Sequence, residues 1–392
     1  TTLGAAGMRD LLVAALDSDG KVLELGSFGG EADEYPTAIA AAPGTGRIAV
    51  VGMYGEGEAA LGDATLPAPA SGYNLFAASY VSGPEPRWSL HGTATDGLFP
   101  HHVLSMSGDG ELAFAGEYRS MMRLGTLTAV DVGGRDLFFA RVSPTGTAVA
   151  LVGYADSGDQ IGMGAVYDGL GDLYLVGTSN SPFTIDEFGI AGDAATDLFV
   201  AKVDESGTNA TWAIASDGGP VGGLRAALAV DGSLVLAGRF EGSLALPGAP
   251  VLDASGGSDV FVARILSGGD LAWIRALGGN GDDEPGGVAV GPDGKIAITG
   301  SFRGTVTPDD GHEALVSAGG SDVFLLVLAG NSGETLRAVA FGGVEDDRGE
   351  SVAFAGAGRI ALGVTYRGEV DFGGPEPLTG DADGSGAVIG VR

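Results

Sequence analysis

Carboxylates are the side chains of this sequence with the widest capacity for chemistry. Asp and Glu number 51 against 20 Lys and Arg, which gives a formal net charge of −31. Several carboxylates fall in Gly-rich loops, where four of them follow an equivalent Gly by four positions: Asp33, Asp96, Asp282 and Asp346. Because Ca²⁺ prefers carboxylate and carbonyl oxygens, these four are candidate Ca²⁺ ligands. Solvated turn residues are the alternative explanation.

A second acidic group matches the start of a calcium-binding loop. The run Asp381-Ala-Asp383-Gly-Ser-Gly copies D-x-D-x-S-G, the first half of a Ca²⁺-binding loop. The twelfth position holds Arg392, where such a loop needs a bidentate Glu. Asp381 and Asp383 are therefore candidate ligands that form only half of a loop.

No set of residues has the spacing of a catalytic site. The four histidines, of which two are adjacent and cannot share one face of a strand, lack zinc-site spacing: His91, His101, His102 and His312. The neighbours Asp282 and Asp283 do not define the carboxyl separation that a glycosidase needs. The sequence therefore predicts a protein that is not an enzyme. The alternative is an enzyme acting on polysaccharide, to which Arg225, Arg348 or the His101/His102 pair could contribute.

Charge and composition narrow the possible partners. A net charge of −31 disfavours nucleic acid, because phosphate binding needs clustered cations, and it disfavours an anionic membrane surface. There is no run of about 18 apolar residues, so no transmembrane segment is predicted. The absence of Cys suits a secreted bacterial protein. Because the chain begins at Thr1 without a signal-peptide pattern, we expect a processed or trimmed form.

The elements that carry these residues belong to a repeat of about 62 residues. Each copy opens with a polar residue followed by an apolar strand, as in Asp259-Val-Phe-Val-Ala-Arg-Ile. Copies begin near the following positions: 10, 74, 136, 197, 259 and 322, with a last strand at 386–392. A fixed period of this length indicates one supersecondary unit copied along the chain.

The copy from 259 predicts four short strands joined mainly by hairpin turns. Strands are expected over 259–265, 271–277, 287–290 and 295–302, and Gly291-Pro-Asp-Gly is a hairpin signal. No helical periodicity is present. This pattern is typical of one blade of an all-β propeller, and hairpins inside every copy disfavour a parallel β-helix. We therefore expect one β-propeller domain over residues 1–392, built from four-stranded antiparallel blades.

Several recurring residues are expected to serve packing. A Gly recurs in the fourth strand, usually followed two residues later by an aromatic, as at Gly300 and Phe302. Trp88, Trp212 and Trp273 recur in the second strand. These rings could stack on sugars, but rings in phase with a repeat more naturally fill the space between blades. The leading Asp of each copy is expected to accept hydrogen bonds from nearby turn amides.

The copy from 259 resembles the SBBP-type bacterial β-propeller repeat. The resemblance lies in residues 256–264, Trp273, 278–283 and 287–302, and it is sharpest between about 196 and 384. It implies a secreted or surface-exposed bacterial repeat protein. It also implies a strand order in each blade: the Val-Ala-Val strand innermost, then the Ile-Ala-Ile strand, the Asp-Val-Phe strand and the Trp strand outermost.

Counting strands in that order leaves one strand over. There are six first, six second, seven third and six outermost strands. Six blades are favoured, closed by pairing the N-terminal strand near 21–26 with the final blade; seven blades with one inner pair absent are the alternative. The surplus third strand is either 10–16 or 386–392. A surplus strand at the C-terminus could pair with a partner through Val388, Ile389 and Val391.

The predicted function is a secreted or cell-surface module for protein–protein contact or surface assembly. The acidic loops should emerge together on one face of the propeller and give it a negative potential. Besides the polysaccharide-active enzyme, a Ca²⁺-stabilised carbohydrate-binding module that uses this face is the other alternative.

Overall fold

A computed structural model shows an all-β, β-propeller-like chain. It describes residues 9–17, 20–31, 33–42, 45–55, 57–61, 64–70, 72–81, 86–95, 97–192, 196–308, 311–355, 358–374 and 376–391. The chain divides into two compact units, one of Thr1–Ala194 with Phe199–Ala213 and the other of Ala195–Leu198 with Ile214–Arg392. Within the described residues, no helix has the length and apolar character needed to cross a bilayer.

The first unit opens with a hairpin of β1 (Leu11–Leu16) and β2 (Val22–Phe28), which pair only with each other among the described residues. Three four-stranded antiparallel sheets follow. Their strands, in spatial order, are β3 (Glu34–Ala42), β4 (Arg47–Tyr54), β7 (Asn74–Tyr80) and β8 (Trp88–Ala94); β9 (Leu98–Met106), β10 (Leu112–Tyr118), β13 (Asp136–Val142) and β14 (Ala148–Tyr154); β15 (Gln160–Tyr167), β16 (Leu173–Ser179), β19 (Asp197–Val203) and β20 (Ala210–Ala215).

A short hairpin precedes the third strand of each of these sheets. These are β5 (Ala59–Leu61) with β6 (Ala64–Leu66), β11 (Met121–Leu124) with β12 (Leu127–Val130), and β17 (Phe183–Ile185) with β18 (Phe188–Ile190). The innermost strands β9 and β15 also pair, in parallel, at Val103 and Gly164. The second and third of these sheets therefore join along their inner strands into one sheet of eight strands, and β11 pairs with the outer strand β8 of the first sheet.

The second unit repeats the same four-strand order with longer strands. One sheet has β22 (Val221–Leu228), β23 (Leu234–Ala245), β24 (Leu252–Ile265) and β25 (Leu271–Leu277), with β21 (Asp217–Gly218) added to β23; the next has β26 (Glu284–Val290), β27 (Ile296–Val306), β28 (Leu315–Leu328) and β29 (Thr335–Phe341); the last has β30 (Arg348–Ala355), β31 (Arg359–Val370) and β32 (Leu378–Val391). Sheet order follows chain order, as in a propeller blade.

The cores lie between the faces of successive sheets. In the second unit, Val260 and Val262 of one sheet pack with Ile298 and Phe324 of the next. A further cluster joins Leu325 and its neighbours to Leu362 and Val391 in the last sheet. The alternation of apolar residues along each strand therefore buries both faces of the middle sheet.

The predicted packing of the recurring Gly is confirmed. Gly300 lies opposite Phe324, and a Cβ on Gly300 would lie 2.7 Å from that ring. The same contact recurs at Gly52, Gly116, Gly177 and Gly238. The accommodated ring belongs to the third strand of the same sheet, however, whereas Phe302, itself buried, packs in the core between sheets.

The strand census agrees with the sequence. β2 pairs with β1, from Leu11 opposite Phe28 onward. The pairing of the N-terminal strand near 21–26 with the final sheet stays a prediction, because the two belong to different units. The strand 386–392 is not surplus, because residues 386–391 belong to β32, which pairs with β31 from Ile360 opposite Val391 onward. Both ends carry sequences that resemble third strands, so local sequence could not tell which one pairs with β31.

The β1–β2 hairpin has the position of a third and outermost strand pair relative to β3. Glu34 N–H donates to Arg9 O at 2.9 Å, just as Asp283 N–H donates to Ser258 O at 2.8 Å and Asp347 N–H to Ser321 O at 2.6 Å. The same backbone bond therefore links each third strand to the inner strand of the following sheet.

Candidate functional site

A polar cleft of about 670 Å³ in the second unit gathers most of the charged side chains that sequence analysis singled out there. Its lining comes from the ends of β26–β28 and β30–β32 and the loops between them: Asp282, Glu284, Ser301, Arg303, Ser321, Asp346, Arg348, Thr365, Tyr366, Arg367 and Asp383–Gly386. A cleft of this volume falls in the usual range of small-molecule sites.

Two buried carboxylates fix the backbone of the cleft. Asp283 Oδ1 accepts the N–H of Arg303 at 3.2 Å, and its Oδ2 accepts the N–H of Gly279 at 3.0 Å. Asp347 makes the same pair of contacts, with the N–H of Arg367 at 3.1 Å and that of Gly343 at 2.8 Å. The backbone is therefore held in the same way at Arg303 and at Arg367, and the two side chains extend from equivalent positions in successive sheets.

The residue before each buried carboxylate links neighbouring sheets from the cleft side. Asp346 Oδ1 accepts Ser321 N–H and Arg303 Nη2–H, both at 2.9 Å. These contacts lower the pKa of Asp346, the backbone N–H of Ser321 contributing most. Asp282 Oδ1 accepts the N–H of Ser258 at 3.1 Å in the equivalent place.

Ion pairs occupy two of the three arginines that line the cleft. Arg303 pairs with Asp346 at 2.9 Å, and Arg348 Nη2 pairs with Glu284 Oε2 at 2.6 Å. Arg367 is exposed.

In three of the repeats the leading Asp accepts a hydrogen bond from a turn amide, as predicted. Asp136, Asp259 and Asp322 each use Oδ2 to accept the N–H of the residue four positions earlier, at 2.8 to 2.9 Å. In all three the buried Oδ1 has no hydrogen-bond partner. Burial raises the pKa of Asp322 to about 6, with Asp347 adding to the shift, and burial also raises the pKa of Asp283 to about 6.

The candidate Ca²⁺ ligands are only partly brought together. Asp282, Asp346 and Asp383 line the cleft, while Asp381 precedes it in β32. Asp33 lies in the first unit, where it accepts the hydroxyl of Tyr35 at 3.2 Å. Asp96 lies outside the described residues. Across the part of the chain that is described, no group of three or more His, Asp or Glu side chains could hold a metal ion.

The side chains considered for an enzyme have local partners. Arg225 is packed against β26, with Nε donating to Gly286 O at 2.7 Å, and burial lowers its pKa. His101 Nε2 lies 3.8 Å from Glu117, which also pairs with Arg135. The side chain of His102 is outside the described part of the structure.

Of the three residues predicted to contact a partner, one is exposed. Val388 is 60% exposed, whereas Val391 is buried and Ile389 packs against the core of the last sheet. The alternation arises because successive side chains of a strand point to opposite faces.

Sequence analysis missed Arg303 and Arg367. Each follows the recurring aromatic directly, at Phe302 and Tyr366, so the repeat itself carries the signal. Sequence analysis named Asp282, Asp283 and Asp346. It did not predict that the first Asp of each doublet, Asp282 or Asp346, lines the cleft while the second, Asp283 or Asp347, is buried.

Comparisons with known proteins leave the family of this chain open. No family model matches the sequence, and no curated protein matches it. Among solved structures, a protein of unknown function from Dyadobacter fermentans is similar at a TM-score of 0.46 and 13% identity, covering 98% of this chain and 99% of that one. A quinohemoprotein alcohol dehydrogenase from Pseudomonas putida HK5 is similar at a TM-score of 0.36 and 10% identity, covering 92% and 67%. Similarities at this level carry no functional conclusion.

Proposed function

We propose that the chain is a secreted or cell-surface binding module of the SBBP-type propeller class, which contacts a protein partner through the outer edge of β32. Six blades are part of this proposal. Their support is the set of six innermost strands among the described residues: β3, β9, β15, β22, β26 and β30.

The observation that carries the proposal is the outer edge of β32, which has no strand beside it among the described residues of the second unit. In the two preceding sheets the equivalent strands β24 and β28 are covered by β25 and β29. β32 is 14 residues long and, among the described residues, pairs only with β31. An edge of this length exposes backbone N–H and C=O groups that an extended segment of another chain can pair with.

The covered sheets indicate which segment fits. β25 and β29 run antiparallel to their neighbours and end in a buried apolar residue, Leu277 opposite Val260 and Phe341 opposite Val323. The equivalent position of β32 is Gly386, which pairs with Thr365 on its other side. The partner segment is therefore an antiparallel strand with a large apolar residue opposite Gly386.

Synthetic peptides of the chain's own outermost strands test this contact. Fluorescent peptides of residues 271–277 and 335–341 should bind the whole chain and slow hydrogen exchange across 378–391. A peptide with alternate residues N-methylated, which removes strand pairing, is the control. Failure of both native peptides to bind, or protection elsewhere only, would contradict the proposal.

A variant gives a second measurement. Val388→Pro should weaken peptide binding, because proline removes a backbone N–H and fixes φ within the strand, and the melting temperature of the variant reports whether the fold survives. The candidate Ca²⁺ sites stay a prediction; melting with Ca²⁺ and then with excess chelator checks them, since a ligand of the folded state raises the melting temperature.

A further inference from the structure

Lys202 of β19 is the one buried lysine among the three in the chain, since Lys21 and Lys295 are exposed. Its Nζ lies 2.9 Å from Oδ2 of Asp168 and 3.6 Å from Oδ2 of Asp172. The side chain of Asp168 is only 2% exposed. All three residues belong to the first unit, where the turn between β15 and β16 supplies both carboxyl groups. A buried amine therefore contacts two carboxyl groups of one hairpin turn.

The equivalent lysine position of two other repeats holds arginine. Arg141 and Arg264 occupy this place, and each pairs with one carboxylate of its own hairpin turn, Glu111 or Asp231. An amine can act as a nucleophile, whereas a guanidinium stays protonated in proteins. The third strand of this sheet therefore carries a group that can be acylated where its neighbours carry one that cannot.

The buried carboxyl group is also particular to this turn. Asp168 N–H donates to Asp172 O, just as Ser107 and Ala229 donate at the start of the corresponding turns. Neither Ser107 nor Ala229 has a carboxyl group, so Asp168 is an addition to the usual cation and turn acid. Both departures from the repeat therefore fall on the same contact.

The surroundings hold this contact in place and limit its access to water. Leu170 N–H donates to Asp168 Oδ1 at 2.7 Å, which orients the carboxyl group. Nζ of Lys202 lies 5.7 Å from the centroid of the buried Tyr174 ring, and Trp212 packs on that ring at 5.9 Å. Well-oriented groups in one molecule react as if at an effective concentration of about 10⁵ M or more. A neutral amide would also replace two charges whose burial carries a desolvation cost.

We propose that Lys202 and Asp168 condense to an intramolecular isopeptide bond. Nζ attacks Cγ of Asp168, so that the Nζ–Cγ bond forms and the Cγ–Oδ2 bond breaks. Two of the three ammonium protons leave with Oδ2 as water, and the third stays on the amide nitrogen. The reaction needs no oxidant, reductant or further reactant. Asp172 takes a proton from Nζ and passes it to the departing oxygen.

The bond joins the β15–β16 turn to β19 and closes a loop over residues 168–202, which contains the β17–β18 hairpin. A cross-link of this kind stabilises a fold by restricting the unfolded chain. It lies in the first unit and the proposed contact edge of β32 in the second, so each proposal stands without the other.

Intact-mass spectrometry of the whole purified chain tests the bond. The mass should be lower by one water than the sequence requires, and tandem spectra of a digest should show the peptide with Lys202 linked to the peptide with Asp168. Lys202→Arg and Asp168→Ala should each restore the full mass, and Asp172→Asn should slow the loss of water. A cooperative thermal melt shows that each variant is folded, and Lys202→Arg installs the residue that the repeat already has at Arg141 and Arg264.

Lys295→Arg is the matched control. Lys295 Nζ lies 2.6 Å from Asp293 Oδ2, but both side chains are 49% exposed, so this variant should keep the loss of water. The full mass in the folded, unaltered chain, both fresh and after prolonged incubation, would overturn the proposal and leave Lys202 and Asp168 as an ion pair only. A link from Lys202 to Asp172, or loss of water that persists in Lys202→Arg or Asp168→Ala, would overturn it as well.

Discussion

Glycine in the second strand of each sheet is fixed by crowding rather than by backbone conformation. Gly300 has no left-handed φ, yet a Cβ there would lie 2.0 Å from Glu284 O and 2.7 Å from the Phe324 ring. The backbone oxygen cannot move without breaking the pairing of β26 and β27. The sequence indicated that room was needed, and cross-strand register shows which ring needs it.

Gly300→Ala should therefore destabilise the chain by about 3 kcal/mol, the upper end of what overpacking a core costs. Urea unfolding followed by fluorescence measures the change. Gly268→Ala is the matched control, because nothing lies within 4 Å of a Cβ there and its φ is not left-handed. Equal unfolding curves for both variants would show that the strand adjusts without cost.

Adjacent carboxylates in the loops divide their roles in a way that sequence alone does not reveal. Asp346 lines the cleft and Asp347 is fully buried, although both are Asp in an acidic loop. Position in the loop places one against the preceding sheet and the other over the start of β30. The acidic loops were predictable from the sequence. The burial of the second Asp of each doublet was not, because it depends on a hydrogen bond from the backbone N–H of Arg303 or Arg367, which only the structure shows.

At the level of elements, buried carboxyl groups join each third strand to the sheet that follows. Asp322 of β28 faces Asp347, and Asp259 of β24 faces Asp283. In the first unit, burial together with the charge of Asp10 raises the pKa of Glu34 to about 7. These junctions therefore favour protonated carboxyl groups in the folded chain.

Stability should consequently fall as the pH rises from about 4 to about 7. The unfolded chain releases these protons near pH 4, while the folded chain keeps them until about pH 6 to 7, so the stabilisation is complete below the unfolded pKa and lost above the folded one. Melting temperatures at constant ionic strength across this range check the slope. A flat or rising profile would contradict it.

Asp322→Asn should raise the melting temperature at pH 8 and flatten the profile. The amide is neutral at every pH and can donate to Asp347, a bond worth about 1 kcal/mol. Asp253→Asn, at an exposed residue of β24, removes an equal charge and should leave the slope unchanged.

Strand order within sheets was predictable, and the pairing of the chain ends was not. Hairpin turns such as Gly291-Pro-Asp-Gly, with Gly294 at a φ of 79°, determine which strands are neighbours. Neither β1 nor β32 is connected to β31 by such a short hairpin turn. Their pairing depends on competition between similar apolar strands, which composition and period do not resolve.

For the molecule as a whole, the excess of acidic over basic side chains is the most marked feature of the composition. A net charge of −31 destabilises a compact chain through self-repulsion, which salt screens over about 10 Å at 0.1 M. The melting temperature at pH 7.5 should rise by several degrees between 20 mM and 0.5 M NaCl. Sucrose at matched osmolality controls for exclusion effects, and an unchanged or lower melting temperature in salt would refute the expectation.

The boundary of the repeat falls inside a sheet, not between sheets. The copy from 259 supplies β24 and β25 to one sheet and then β26 and β27 to the next. Each copy of this unit thus contributes two strands to one sheet and two to the next, and the chain between them connects the two sheets covalently. The apolar cores also lie between sheets, so a single sheet of the second unit cannot melt without exposing the apolar face of its neighbour. Unfolding within that unit should be one cooperative event despite its modular sequence.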